Sequence, residues 1–153
     1  MSEMKIQIVQ VSAYTSEATL GPHRILVDRP VEKGGTAQGP MGGELFLASV
    51  GGCFTSNLLA AIRARNEPVS NVRVQVTGTI ADAPPVRYSA IQLSIDADAP
   101  SRAVLEHLAE IADRGCIMMN TLRGTLDLKV QVAERGAMGD SIPAVSGEIV
   151  ASA

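Results

Sequence analysis

Residues 43–62, GELFLASVGGCFTSNLLAAI, read as a helix that is apolar on nearly every side. A helix of this kind is stable in water only when enclosed, so it dictates the fold around it. Ala, Leu and Ile favour the helix over about Glu44 to Arg65, and Pro68 ends it. Its two central glycines, Gly51 and Gly52, work against it, at about 1 kcal/mol each relative to Ala. Close approach of another backbone or helix is the expected compensation. Cys53, one of two cysteines in the chain, follows these glycines directly.

The segments around this helix have other periods. Residues 5–12 (KIQIVQVS) alternate loosely, and HRILVD at 23–28 is short and branched, a second strand or strand pair. Residues 29–43 hold five Gly and two Pro and read as a loop. After the helix, VRVQVT at 72–77 and IQLSI at 91–95 alternate strictly. Ser101 is placed to cap a second helix carrying Val104, Leu105, Leu108, Ile111 and Ala112 on one stripe, closed by Gly115. CIMMNTL from Cys116 gives a helical turn or two, and LDLKVQV at 126–132 alternates again. Strands in runs, separated by only two main helices, predict an α+β fold rather than a doubly wound sheet. Residues 1–135 read as one domain and 136–153 as a weakly patterned tail.

Composition excludes several classes of function. The net charge is −3, basic residues occur singly and aromatics make up 3%, so neither a phosphate-binding footprint nor a base-stacking array exists. The first residues lack the build of a signal peptide, and no apolar run approaches the ~20 residues of a membrane span. A cytoplasmic protein with no nucleic-acid or membrane partner is expected. In that compartment cysteines seldom serve as structural staples, and a chemical role gains weight.

Cys53 and Cys116 are 63 residues apart, which excludes a CxxC redox motif. With His23 and His107 they would suffice for a tetrahedral zinc, yet no short paired spacing supports it. No metal or cofactor is expected. Free cysteine is among the most buried residue types, so Cys53 reads either as a small core hydrophobe or as a working thiol. Both cysteines lie next to Gly and at or within helices. Helix N-termini lower a thiol's pKa, which suits Cys116; Cys53, deep in its helix, needs a cation nearby.

The stretch GPMGGELFLASVGGCFTSNL, followed by CIMMNTL 63 residues after its cysteine, resembles the OsmC/Ohr family of thiol peroxidases. The GP-x-x-x-ELxLAxxGGC form and the upstream HRILVD are most similar to its OsmC-like branch. The likeness runs from near His23 to Val132. It implies an intertwined α+β homodimer, with antiparallel-rich sheets around a long buried central helix that packs against its partner's. It also implies reduction of organic hydroperoxides, with dihydrolipoyl-type or small thiols as reductant.

Carried onto this chain, Cys53 matches the peroxidatic cysteine and Cys116 the resolving one. The resemblance further implies an activating Arg from the N-terminal region, for which Arg24 and Arg29 are candidates. In the family that Arg is oriented by a Glu ten residues before the peroxidatic Cys. Here that position is Gly43, and the acid falls one place later, at Glu44, turned by about 100° around the helix. The leading expectation is a thiol peroxidase using Cys53, Cys116, Arg24 and Glu44. The displaced acid keeps open a non-peroxidatic binding or redox-sensing protein of the same fold.

Overall fold

A computed structural model of the chain describes residues 1–137. All but the first two residues of the expected tail, 136–153, therefore lie outside the described residues. The described chain divides into two compact units, residues 1–46 and 47–137.

The first unit is built on a three-stranded antiparallel meander, β1 (Gln7–Gln10), β2 (Ser16–Leu20) and β3 (His23–Val27). Gly21, at φ +61°, begins the two-residue turn that pairs Leu20 with His23. HRILVD is thus one strand of a pair whose other member, SEATL, shows no apolar alternation, because only Ala18 in it is buried. The Gly-rich loop after β3 is organised by one carboxylate. Asp28, only 4% exposed, accepts hydrogen bonds from the Thr36 hydroxyl (2.6 Å), the Thr15 hydroxyl (3.2 Å) and the backbone N–H groups of Arg29, Thr36 and Gln38. These neutral donors satisfy the buried carboxylate. The loop then leads into the long helix α1 (Gly42–Arg65).

The second unit continues α1 and adds β4 (Ser70–Ile80), β5 (Tyr88–Asp98), α2 (Arg102–Gly115), α3 (Ile117–Leu122) and β6 (Asp127–Val132). Strands run in the order β4-β5-β6. The first pair is antiparallel, and the second is parallel because α2 and α3 carry the chain back between β5 and β6. The expected antiparallel-rich α+β fold thus holds, with this one parallel pair. Register places Val74, Ile95 and Val132 in one row, and Val76, Leu93 and Val130 in the next. Gln75, Ser94 and Gln131 fall on the opposite, polar face, where Gln131 donates to Ser94 Oγ at 3.2 Å.

α1 lies on the apolar face of β4. A β-carbon at Gly51 would fall 2.6 Å from Val76 Cγ2, and one at Gly78 would fall 2.9 Å from Leu47 Cδ2. Val50, Phe54 and Leu58 are wholly buried, as are Leu93 and Ile95 of β5. Ser101 caps α2, its Oγ accepting from Val104 N at 3.2 Å, as the sequence leads one to expect.

The opposite face of α1 is different. Ala48, Ser49, Gly52, Ser56, Leu59 and Ala60 are exposed in the single chain. By length and composition alone α1 is long and apolar enough to cross a membrane, with a mean hydropathy of 1.7 over its best window, of which 33% is buried. The expectation that no run nears spanning length is therefore too strict. Within this unit the helix contributes its inner face to the core.

Candidate functional site

Cys53 and Cys116 meet in the second unit. Both are free thiols, and their sulfurs stand 3.1 Å apart, with the Cys116 S–H donating to Cys53 Sγ. The approach follows from chain geometry. Cys116 is the single extended residue (φ −85°, ψ 115°) between the end of α2 and the start of α3, so the chain turns sharply there. The turn directs a fully buried Cys116 towards the middle of α1, where Cys53 remains half-buried.

This arrangement separates the two thiols electrostatically. At Cys53, burial is the largest influence and raises the pKa. The backbone N–H of Met118, the Cys116 thiol and the backbone N–H of Ile117 together outweigh it and hold Cys53 below the ordinary thiol value. At Cys116, burial again comes first and raises the pKa; proximity to Cys53 adds to it, against a hydrogen bond from the Met119 backbone. Of the two, Cys53 is therefore the thiol that loses its proton more readily. An asymmetry of this kind suits one thiol of a pair to attack and the other to close a disulfide.

The remaining predicted site residues lie in residues 1–46. Arg24 Nη1 is bound to Glu17 Oε1 at 2.6 Å, across the β2–β3 pair. Arg29 is exposed and lines a cavity of about 480 Å³ with Asp28, Lys33, Met41 and the glycines of the loop. Glu44 Oε2 accepts the backbone N–H of Met41 at 2.7 Å, while Leu45 N donates to Met41 O at 3.0 Å. Met41 is thus the N-cap of α1, and Glu44 reaches back to it as in a capping box. The one-residue shift from 43 to 44 puts the acid at the third helical position, where this contact forms.

Two features escape the motif reading. The thiolate's N–H donors are backbone groups of α3, invisible as residue types. Asn57, four residues after Cys53, donates from Nδ2 to the Cys53 carbonyl at 2.9 Å, with the same nitrogen 4.0 Å from Cys53 Sγ. Its signal in the sequence is a poor helix former one turn from the thiol on the same face.

The family model for OsmC-like proteins matches residues 35–131, which include both cysteines. No curated protein matches the chain in sequence. Among solved structures, an OsmC-like protein from Mycoplasma pneumoniae superposes with a TM-score of 0.76 at 20% identity, over 86% of this chain and 96% of that one. An organic hydroperoxide resistance protein OsmC from Legionella pneumophila does so with a TM-score of 0.69 at 19% identity, covering 88% and 98%. The organic hydroperoxide resistance protein OhrB of Bacillus subtilis gives 0.65 at 16%, covering 85% and 98%. At these identities the structural likeness carries the fold.

Proposed function

The chain belongs to the OsmC-like family, and from that premise we propose that it is a thiol-dependent peroxidase reducing organic hydroperoxides. The observation that carries this reading is the pair of free thiols 3.1 Å apart, with the pKa lowered at the more accessible sulfur and raised at the buried one. The Cys53 thiolate attacks the terminal oxygen of the hydroperoxide and the O–O bond breaks. The alkoxide leaves, takes a proton and departs as alcohol, and Cys53 is left as a sulfenic acid. The Cys116 sulfur then attacks the sulfenic sulfur, water leaves, and a Cys53–Cys116 disulfide forms. A dihydrolipoyl-type or small thiol reopens it by exchange, becoming oxidised itself.

Arg24 or Arg29 would polarise the peroxide, and Glu44 would fix the start of α1. A homodimer fits this reading, because the outer face of α1 and the apolar residues of β1 need cover. A stoichiometric pulse of cumene hydroperoxide, followed by mass spectrometry, tests the proposal. One disulfide between Cys53 and Cys116, or a Cys53 sulfenate in Cys116→Ser, is expected. If neither appears, the reading is wrong.

A second reading has an observation of its own. Arg24 is held by Glu17, and Glu44 by the Met41 backbone, so neither is poised as a peroxidase pair in residues 1–46. A binding or redox-sensing protein would keep the dithiol and lack fast peroxide attack. A second-order rate with cumene hydroperoxide no greater than that of a free thiol at the same ionisation would favour it.

A further inference from the structure

Asn57, in the second unit, stands at the dithiol and has no part in the steps above. Asn57 lies within α1, where its short carboxamide competes with the helix backbone, and where the sequence already carries two unfavourable glycines. Its nitrogen is fastened to the Cys53 carbonyl at 2.9 Å. Its oxygen faces the other way: a β-carbon built on Gly115 would lie 3.0 Å from Asn57 Oδ1 and 3.7 Å from Cγ. The carboxamide therefore fills the space between the Cys53 turn of α1 and the residue immediately before Cys116. Glycine at 115 leaves room for it, a requirement separate from ending α2.

We propose that Asn57 is a positioning residue of the dithiol, a spacer that seats the Gly115–Cys116 corner against α1 so that the two sulfurs close to a disulfide without either helix moving. The hydrogen bond from Asn57 Nδ2 to the Cys53 carbonyl fixes the rotamer of Asn57, and the Gly115 contact transmits that rotamer to the corner. Shortening the side chain leaves a gap into which the corner can shift. Adding a β-carbon at 115 pushes the corner away. Either change misplaces Cys116 while leaving Cys53 on its helix.

This inference rests on the dithiol reading above but not on hydroperoxide turnover, so its test uses diamide. Diamide takes two electrons and two protons from a pair of thiols and is reduced to the hydrazine as the disulfide forms. The rate of disulfide closure is compared with the rate of Cys53 alkylation by iodoacetamide, which needs no second sulfur. Thermal melts show whether each variant is folded. Asn57→Ala is expected to slow closure relative to alkylation by about tenfold or more, and Gly115→Ala, whose β-carbon shifts its neighbours by a few tenths of an ångström, by a smaller but measurable factor. In the double variant the losses should not add, because the shortened residue 57 makes room for the new β-carbon. Asn57→Ser should leave closure slowed, since its hydroxyl is too short to reach Gly115. A closure-to-alkylation ratio unchanged in both single variants would overturn the proposal, as would losses that add in full. Failure of the peroxidase reading would show instead as normal closure with diamide and none with cumene hydroperoxide.

Discussion

At Cys53 two opposing influences set the chemistry. Partial burial disfavours the thiolate, and three hydrogen-bond donors, two of them backbone N–H groups at the start of α3, favour it more strongly. The third donor is Cys116, so one thiol of the pair also lowers the pKa of the other. Cys116→Ala removes a donor to the anion and must raise the pH midpoint of Cys53 alkylation; Cys116→Ser keeps an O–H donor and should raise it less. Iodoacetamide rates across pH check this, and a midpoint unmoved in Cys116→Ala would show that Cys116 plays no part in the activation. The wild-type midpoint should fall below the ordinary thiol value, about 8.5. Sequence reasoning reached the two sulfurs because residue type and family spacing mark them. For Cys53 it looked to a nearby cation and overlooked the backbone donors, which depend on the φ and ψ of Cys116 and leave no trace in composition.

Individual elements carry the next level of control. α1 reaches β4 so closely at Gly51 that any side chain meets Val76, whose branched Cβ restricts its rotation. Gly51→Ala gains up to about 1 kcal/mol in helix propensity and loses about 1–3 kcal/mol to overpacking, so a lowered melting temperature is expected. A raised one would mean that Val76 yields freely. The loop before α1 depends on Asp28, whose largest influence is the Thr36 hydroxyl; this and the backbone N–H groups hold its pKa well below the carboxylate range despite burial. A depressed folded pKa contributes stability that is complete above the unfolded value, about 3.9, and is lost as pH falls through the folded one. Loop 29–41 should therefore loosen in acid. Asp28→Asn should loosen it at neutral pH, because an amide replaces one acceptor oxygen with a donor facing other donors. Hydrogen exchange of the Thr36 and Gln38 amides reads this directly, and protection equal to wild type at pH 7 would refute it. The strands and helices themselves were legible wherever apolar alternation or a cap marked them. β2 was not, because its partners in the meander, rather than its own pattern, make it a strand.

For the whole molecule, the unresolved demand is the one posed by residues 43–62. Among the described residues, the second unit encloses one face of α1 and leaves Leu59, two turns on from Gly52, 39% exposed, while in the first unit Ile8 of β1 and the preceding Ile6 are 58% and 59% exposed. The two central glycines therefore answer to different neighbours. Gly51 is crowded by its own chain, while a β-carbon at Gly52 would meet nothing within 4 Å. A glycine that costs about 1 kcal/mol in a helix, with open space beside it, points to a surface that closes only on assembly. In the proposed homodimer that surface is the seam between two copies of α1. The β-carbon that Gly52→Leu adds meets nothing within 4 Å among the described residues, so its monomer should fold with undiminished helicity, and an effect on assembly would come from the partner. Sedimentation should show the wild type as a dimer and Gly52→Leu with a dissociation constant raised tenfold or more, since each 1.4 kcal/mol of lost packing is worth a factor of ten. A wild type that stays monomeric at high concentration, or a Gly52→Leu dimer as tight as the wild type, would put the seam elsewhere and leave Gly52 without a role in enclosing α1.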